Sequence, residues 1–327
     1  MRTATNFATQ LTAPATQNRQ VLDVAQARLQ EGRVALAMDE LVEDLRARRE
    51  EEPEDWPAYA RACQNHPIRE LLHQDPFTYW AFSKPRGYAG DAVMMDYIYG
   101  LGEAKQAEQE ATPLGRALFQ AIGANPSVRA VRYRRQLIAG LIDRMAARAN
   151  PSVLALAAGH LREVEISRAM RAGCVRSYVA FDQDQASLAV IDHDYAHLGV
   201  QTIHGSVRHL LAGQSLPGQF DFVYAVGLFD YLPGPAAAAL ANRMFQMTRP
   251  GGLMLIPNFL TGIRDAGYME AFMDWHLIYR NHANMKYLAA SLPAGEVEDY
   301  WIFDDHDETI TYLMVAKERD WSKETQQ

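Results

Sequence analysis

Apolar residues in the first half of the chain recur at three- and four-residue intervals among charges: Val21, Leu22, Ala25, Leu29, Val34, Leu36, Leu41, Val42 and Leu45. That spacing predicts helices, because it gathers the apolar side chains on one face. The charged run from Arg46 is broken by Pro53 and Pro57 and reads as a solvated helix end leading into a turn. Leu71 and Leu72 sit in a short helix that Pro76 ends, and Pro126 divides the apolar-periodic stretch from Leu114 to Met145 into two helices. After Asn150-Pro151 the pattern changes. Short apolar runs at 153–158, 177–181, 200–204, 220–226 and 253–259 alternate with amphipathic stretches at 161–171, 185–195 and 236–247. Strands alternating with helices at this spacing predict a parallel sheet covered on both faces. Two last runs, VEDYWIF and TITYLMVAK, are separated only by Asp304 to Glu308, too short for a parallel crossover, so they predict an antiparallel hairpin. The expected architecture is a helical N-terminal region over 1–150 and an α/β domain with a terminal hairpin over 151–320.

Composition narrows the function. The chain has 327 residues, 48% hydrophobic and 22% charged, which excludes collagen-like, low-complexity and largely disordered classes. A formal net charge of -8 offers no field for a phosphate backbone, so nucleic acid is not an expected partner. Two cysteines, Cys63 and Cys174, make neither a disulfide framework nor a zinc site and suit a reducing compartment. The first twenty residues lack a continuous apolar segment of the secretory kind, and no run reaches the roughly 18 residues of a membrane span, so the expected location is cytoplasmic.

Ligands of open α/β sheets sit beyond the carboxyl ends of the strands. The first strand leads into Ala157, Gly159, His160 and Glu163, a small-residue turn that can bring backbone close to a ligand. The second ends in Asp182-Gln183-Asp184, where an acid can accept from ribose hydroxyls or cap the next helix. His204-Gly205-Ser206-Val207 follows the third strand, placed for an adenine edge. Gly227, Leu228, Phe229, Asp230 and Tyr231 follow the fourth, and Arg249-Pro250-Gly251-Gly252 precedes the fifth.

In this ordered series, from about Val153 to Lys317, the chain resembles a Rossmann-like class I S-adenosylmethionine (SAM) methyltransferase. Upstream, Lys84-Pro-Arg86-Gly-Tyr88-Ala-Gly-Asp91, Val131-Arg132-Tyr-Arg134-Arg135 and Trp275-His-Leu-Ile-Tyr279-Arg280 resemble one bacterial subgroup, described as extracellular-factor 3-hydroxypalmitic acid methyl ester biosynthesis proteins. The resemblance implies SAM as cofactor, with contacts from Tyr88, Arg132, Ala157, Gly159, Glu163, Asp182, Gln183, Gly205, Ser206, Val207, Gly227 and Leu228. It implies an acidic small-molecule acceptor handled by Tyr88, Arg134, Tyr231, Trp275, Tyr279 and Arg280, under a helical capping region. Two departures stand out: Ala155 occupies the place of the usual acid late in the first strand, and the glycine series is reduced to Ala157, Gly159 and Leu161.

Each residue also has a plainer reading. Glu163 would suit a first helical turn by charge alone, and Phe229, Tyr231, Trp275 and Tyr279 could be core. Trp275 and Tyr279 stand four apart and would share one helix face. Arg132 and Arg135 share a helix face while Arg134 points elsewhere, so at least one is expected to be only solvated. Arg280 could anchor a carboxylate or pair at the surface. Arg86, Tyr88 and Asp91 form either a lid or plain loop chemistry. His193 and His197 lack a third ligand, so no metal is expected. Carboxylate methylation would need no base; a hydroxyl or amine acceptor would draw on His160, His204 or Asp230. The alternatives are methylation at oxygen or nitrogen of another metabolite, a SAM-fold protein that binds without methyl transfer, and an interaction module built on the N-terminal helices. The helical extension is compatible with a homodimer.

Overall fold

The computed structural model describes residues 20–213, 216 and 218–319. The stretch expected to lack a secretory signal therefore lies, up to residue 19, outside the described residues. Helices α1 (20–30), α2 (Val34–Glu51), α3 (Trp56–Gln64), α4 (Ile68–Leu72), α5 (Pro76–Ser83), α6 (Ala92–Tyr99), α7 (Gly102–Glu110), α8 (Pro113–Gly123) and α9 (Pro126–Ala146) come first. Then come β1 (Ser152–Leu156), α10 (Arg168–Arg171), β2 (Ser177–Asp182), α11 (Gln185–Tyr195), β3 (Val200–His204), α12 (Val207–Leu211) and β4 (Phe220–Ala225). The last elements are α13 (Gly234–Met247), β5 (Thr248–Phe259), α14 (Ala266–Phe272), α15 (His282–Ala290), β6 (Val297–Asp304) and β7 (Ile310–Lys317). Among the described residues no helix is long and apolar enough to cross a membrane.

The chain divides into two compact units, one of residues up to 129 with 262–276, the other of 130–261 with 277 onward. The division falls inside α9, whose residues from Ala130 group with the sheet: Tyr133 meets the ring of Tyr312 on β7 at 6.4 Å.

In the helical unit, α14 is buried along its whole length. A Cβ on Gly267 would stand 2.8 Å from the backbone of Leu45, so only glycine lets α14 approach α2 this closely. The one acid of α14, Glu270, accepts from the Trp56 indole at 2.6 Å and pairs with Arg49 at 2.8 Å, which satisfies a buried charge. Pro76 does not end a helix but opens one: Asp75 caps α5, accepting from Phe77 and Thr78 amides, with proline in the first turn where its missing N–H costs nothing.

In the second unit the strand order is β3-β2-β1-β4-β5-β7-β6, with β1 to β5 parallel and β7 antiparallel to both β5 and β6. The predicted hairpin is present. One sheet face, carrying Leu154, Val179, Val223 and Met254, packs against Leu240, Met244 and Phe245 of α13 and Leu288 of α15. On the opposite face the register sets Ala155 beside Ala180 of β2 and Tyr224 of β4.

Helix α11 agrees with its predicted bounds, but the helix expected over 161–171 is broken. Leu161 takes a left-handed backbone with φ 53°, residues Arg162–Glu165 form a single 3-10 turn, and α10 restarts only after Ser167 caps it. Ala157 is left-handed too, with φ 50°, as is Gly159 at 56°. The turn after β1 thus keeps a glycine-type path without glycine at two of its three left-handed positions, at about 1–2 kcal/mol each. Replacing Ala157 with glycine should raise stability by roughly 0.5–1 kcal/mol, the relieved strain being partly offset by the freer unfolded chain. Leu161→Gly should instead cost about 2–4 kcal/mol, since that side chain is buried. Urea denaturation midpoints of both variants test this; a destabilised Ala157→Gly would show that the turn carries no strain.

Candidate cofactor site

The topological switch lies between β1 and β4, and the predicted cofactor residues of this unit line the strand ends on either side of it. At the end of β2, Asp182 is buried and accepts two main-chain amides, Gly159 N–H at 2.8 Å and Asp184 N–H at 2.8 Å. Its carboxyl therefore ties the turn after β1 to the mouth of β2. Burial pushes its pKa up, and the two amides pull the other way. The helix cap is the neighbouring Asp184, which accepts from Ala186 N–H and the Ser187 hydroxyl. That leaves Asp182 on the site side of the turn, with lone pairs suited to a diol.

Beyond β3, Gly205 donates its amide to the Asp182 carbonyl at 2.9 Å. A Cβ there would stand 2.6 Å from the Phe181 ring, so the chain needs glycine to pass. Ser206 caps α12 and Val207 begins it. The Gln183 carbonyl accepts from the His204 ring at 3.2 Å. Beyond β4, Gly227 is left-handed with φ 78°, and Leu228 leads into a 3-10 turn over Phe229–Tyr231. Phe229 is part of the core, as its plainer reading held, whereas Tyr231 is half-buried.

Glu163 is buried, and its carboxyl accepts from the Tyr224 hydroxyl, which in turn lies 2.5 Å from the Tyr178 hydroxyl. The two tyrosines come from β4 and β2, the strands flanking β1, where the register sets Tyr224 beside Ala155 and Tyr178 beside Val153. Burial raises the Glu163 pKa, opposed by the Tyr224 hydrogen bond and by Arg135 and Arg134, and it drives both phenols well above their ordinary value. Sequence reasoning missed both tyrosines. Their pairing depends on register across three strands, for which local sequence carries no signal.

Arg132, Arg134 and Arg135 of α9 are all withdrawn from solvent, contrary to the expectation that one of them would be merely solvated. Arg135 donates to Glu165 and to the Arg162 carbonyl, Arg132 is half-buried, and Arg134 is 4% exposed. Arg280 is neither a surface pair nor an open anchor. It is buried and donates to the carbonyls of Phe229 and Leu232 and to the Asn258 side chain, which fixes the segment after β4.

The shared helix face expected for Trp275 and Tyr279 does not exist. Asp274 turns left-handed with φ 46° and Trp275 N–H returns to the Met269 carbonyl at 2.9 Å, so the helix stops before Tyr279. Trp275 is buried in the helical unit, and Tyr279 lies on an irregular stretch of the sheet unit. Tyr88 stands on the loop between α5 and α6, also in the helical unit, and is 36% exposed. Asp91, read with it as part of a lid, is a structural cap: it accepts from Met94 N–H and from the Trp80 indole.

Asp230 is buried and accepts Phe259 N–H at 2.8 Å. Burial pushes its pKa from 3.8 up to about 6, against the pull of that amide and of Arg134 and Arg280. Because the folded value lies above the unfolded one, the folded state binds the extra proton, and this group's contribution to stability falls as pH rises from about 4 to 6. Asp230→Asn keeps an acceptor for Phe259 and removes the charge. It should be about 1–3 kcal/mol more stable than the wild type at pH 7, a gap that closes below pH 4. Denaturation across that range checks the sign; a variant destabilised at pH 7 would mean that Arg134 and Arg280 require the charge.

The family described as methyltransferase domain matches residues 153–252. Among solved structures, the chain is similar to a possible exported protein from Bordetella parapertussis, at 16% identity and a TM-score of 0.59, over 81% of this chain and 96% of that one. That likeness concerns the fold. Weaker similarity, at TM-score 0.43 and 12% identity over 66% of this chain and 97% of the other, relates it to N-methyltransferase NodS from Bradyrhizobium japonicum WM9 in complex with S-adenosyl-L-homocysteine. No curated protein matches the chain. The sheet has a Rossmann-like arrangement with a terminal antiparallel pair, and residues 153–252 within it match the methyltransferase domain family.

Proposed function

We propose that the protein is a SAM-dependent methyltransferase that converts the carboxylate of a small acidic metabolite into its methyl ester. The observation that carries this reading is the set of groups at the strand ends: Asp182 tied to Gly159 beside the switch point, with Glu163 next to it. The chemistry of that set fits the cofactor. Asp182 would hold the ribose, Gly205 to Val207 the adenine edge, and the turn at Ala157 to Gly159 with Glu163 and Arg132 the methionine end. When bound, SAM supplies an electrophilic methyl group on a positively charged sulfur. The chain's part is to hold the two reactants in line and exclude water.

A carboxylate acceptor is favoured because two of the candidate bases are already engaged. Asp230 holds Phe259 N–H within the core, and the His204 ring bonds the Gln183 carbonyl. An ionised carboxylate needs no base at neutral pH. We assign acceptor recognition within the sheet unit to Tyr231 and Tyr279, with 3-hydroxy fatty acids as the first class to try. The reaction belongs in the cytoplasm, a reducing compartment that suits two free cysteines, Cys63 and Cys174. A second reading, cofactor binding without turnover, draws support from Ala155 and the strained turn at Ala157.

Calorimetric titration with SAM, followed by methyl uptake from labelled SAM onto acidic, hydroxylic and amine acceptors, tests both readings. Saturable binding is expected, weakened on the order of tenfold or more in Asp182→Ala, with label that alkaline hydrolysis releases as methanol. Circular dichroism shows whether the variant is folded, and Asp182→Asn gives a milder second point. Binding with no uptake on any acceptor favours the second reading, base-stable label means oxygen or nitrogen methylation, and no binding sinks the methyltransferase reading.

A further inference from the structure

We propose that Arg280, together with Asn258, is a positioning residue for the methyl acceptor. Its guanidinium fixes the turn that carries Tyr231 to the stretch that carries Tyr279, and so sets the relation of the two tyrosines assigned to the acceptor. The inference rests on the reading of the sheet unit as a methyltransferase, and it moves Arg280 from contact with the acceptor to support of the groups that make contact. All of these residues belong to the sheet unit.

The backbone leads to it. Three carbonyls of the turn after β4 go to one short stretch of chain. Arg280 Nη1 donates to the Phe229 carbonyl at 2.6 Å, Arg280 Nη2 donates to that of Leu232, and Ile278 N–H donates to that of Asp230 at 2.7 Å. Tyr231 is thereby held from both sides, and Tyr279 stands between the two residues that hold it. That stretch has no helix or strand of its own, and β5 anchors it. Arg280 N–H donates to the Phe259 carbonyl at 2.9 Å, and Asn258 Nδ2 donates to the carbonyls of Phe259 and Ile278, each at 2.9 Å. Asn258 Oδ1 in turn accepts from Arg280, and the Asp230 carboxyl closes the set by accepting Phe259 N–H at 2.8 Å.

The side chains chosen for this task point to position and not to bulk stability. Arg280 is 4% exposed and Asn258 1%, and the three groups that accept from the guanidinium are neutral, so a whole charge is buried to bind uncharged oxygens. Burying a charge costs more than burying an apolar side chain. Burial accordingly lowers the Arg280 pKa, against the pull of Asp230. What the guanidinium adds is a rigid planar fork whose two Nη atoms reach the Phe229 and Leu232 carbonyls at once. A lysine ammonium, a point charge on a flexible stem, does not fix two such oxygens. Precision of this kind matters beside a reacting group, where a misplacement of about 1 Å can cost about 100-fold in rate. Both Nη atoms already serve the protein, which leaves acceptor contact to the tyrosines that they position.

Kinetics with two ligands separate positioning from folding. Methyl transfer from labelled SAM to 3-hydroxydecanoate would be measured on the full chain for the wild type, Arg280→Lys and Asn258→Ala, with calorimetry of S-adenosyl-L-homocysteine on each. Arg280→Lys should lower kcat/KM for the acceptor on the order of 10- to 100-fold, mainly through KM, while the Kd of S-adenosyl-L-homocysteine changes less than about threefold. Asn258→Ala should do the same more mildly, about 3- to 10-fold. Amide hydrogen exchange gives a readout independent of turnover: in Arg280→Lys the amides of 229–232 and 278–280 should lose protection while those of β1 and β2 keep it. Unchanged acceptor kinetics, or equal losses for acceptor and cofactor, would overturn the positioning role and leave the methyltransferase reading intact. A wild type that methylates an amine or alcohol but not 3-hydroxydecanoate would end the ester reading, and the same comparison on that acceptor still decides the role of Arg280. A wild type that methylates no acceptor overturns both. If Arg280→Lys does not fold, as judged by circular dichroism, Asn258→Ala decides.

Discussion

A carboxyl group taken out of water is tolerated only where donors meet it, and three such groups stand at the carboxyl ends of neighbouring strands of this sheet. Asp182 is met by two main-chain amides, Asp230 by the Phe259 amide, and Glu163 by the Tyr224 hydroxyl. Each of these demands fixes a piece of backbone. The turn after β1 is drawn to β2 through Gly159, and the segment after β4 is held to β5 through Phe259, with Arg280 securing its carbonyls from the other side. The segments beyond these strand ends are therefore preorganised by the same carboxyls.

The strain in the turn follows from that constraint. Ala157 and Leu161 accept left-handed backbones because the path from β1 to the 3-10 turn is over-determined by Asp182 on one side and by the Arg162, Glu165 and Arg135 contacts on the other. Arg162 also reaches Asp194 and Tyr195 of α11, so the turn is bound to a helix as well as to a strand. A glycine-rich turn would adopt this path without strain; here side-chain contacts impose it.

Most of the fold was legible because short apolar runs and helical periodicities are local properties. The five parallel strands, α11, the break at Pro126 and the terminal hairpin all follow from patterns a few residues long. What was not legible depends on partners distant in sequence. Arg134 was read as pointing away from the face shared by Arg132 and Arg135, with one of the three expected to be solvated, yet it is buried. Tyr178 and Tyr224 meet only because β1 lies between their strands in one register. Trp275 and Tyr279 matched helical spacing, but a left-handed Asp274 stops the helix first. Pro76 read as a stop because proline ends helices and starts them, and the capping carboxyl of Asp75 decides between the two.

The most direct measurement is a crystal structure of the protein with S-adenosyl-L-homocysteine bound. The adenine is expected beside Gly205 to Val207, the ribose hydroxyls on Asp182, and the amino-acid end at the turn from Ala157 to Gly159 with Glu163 and Arg132. A ligand seated elsewhere, or one whose ribose does not reach Asp182, would contradict it.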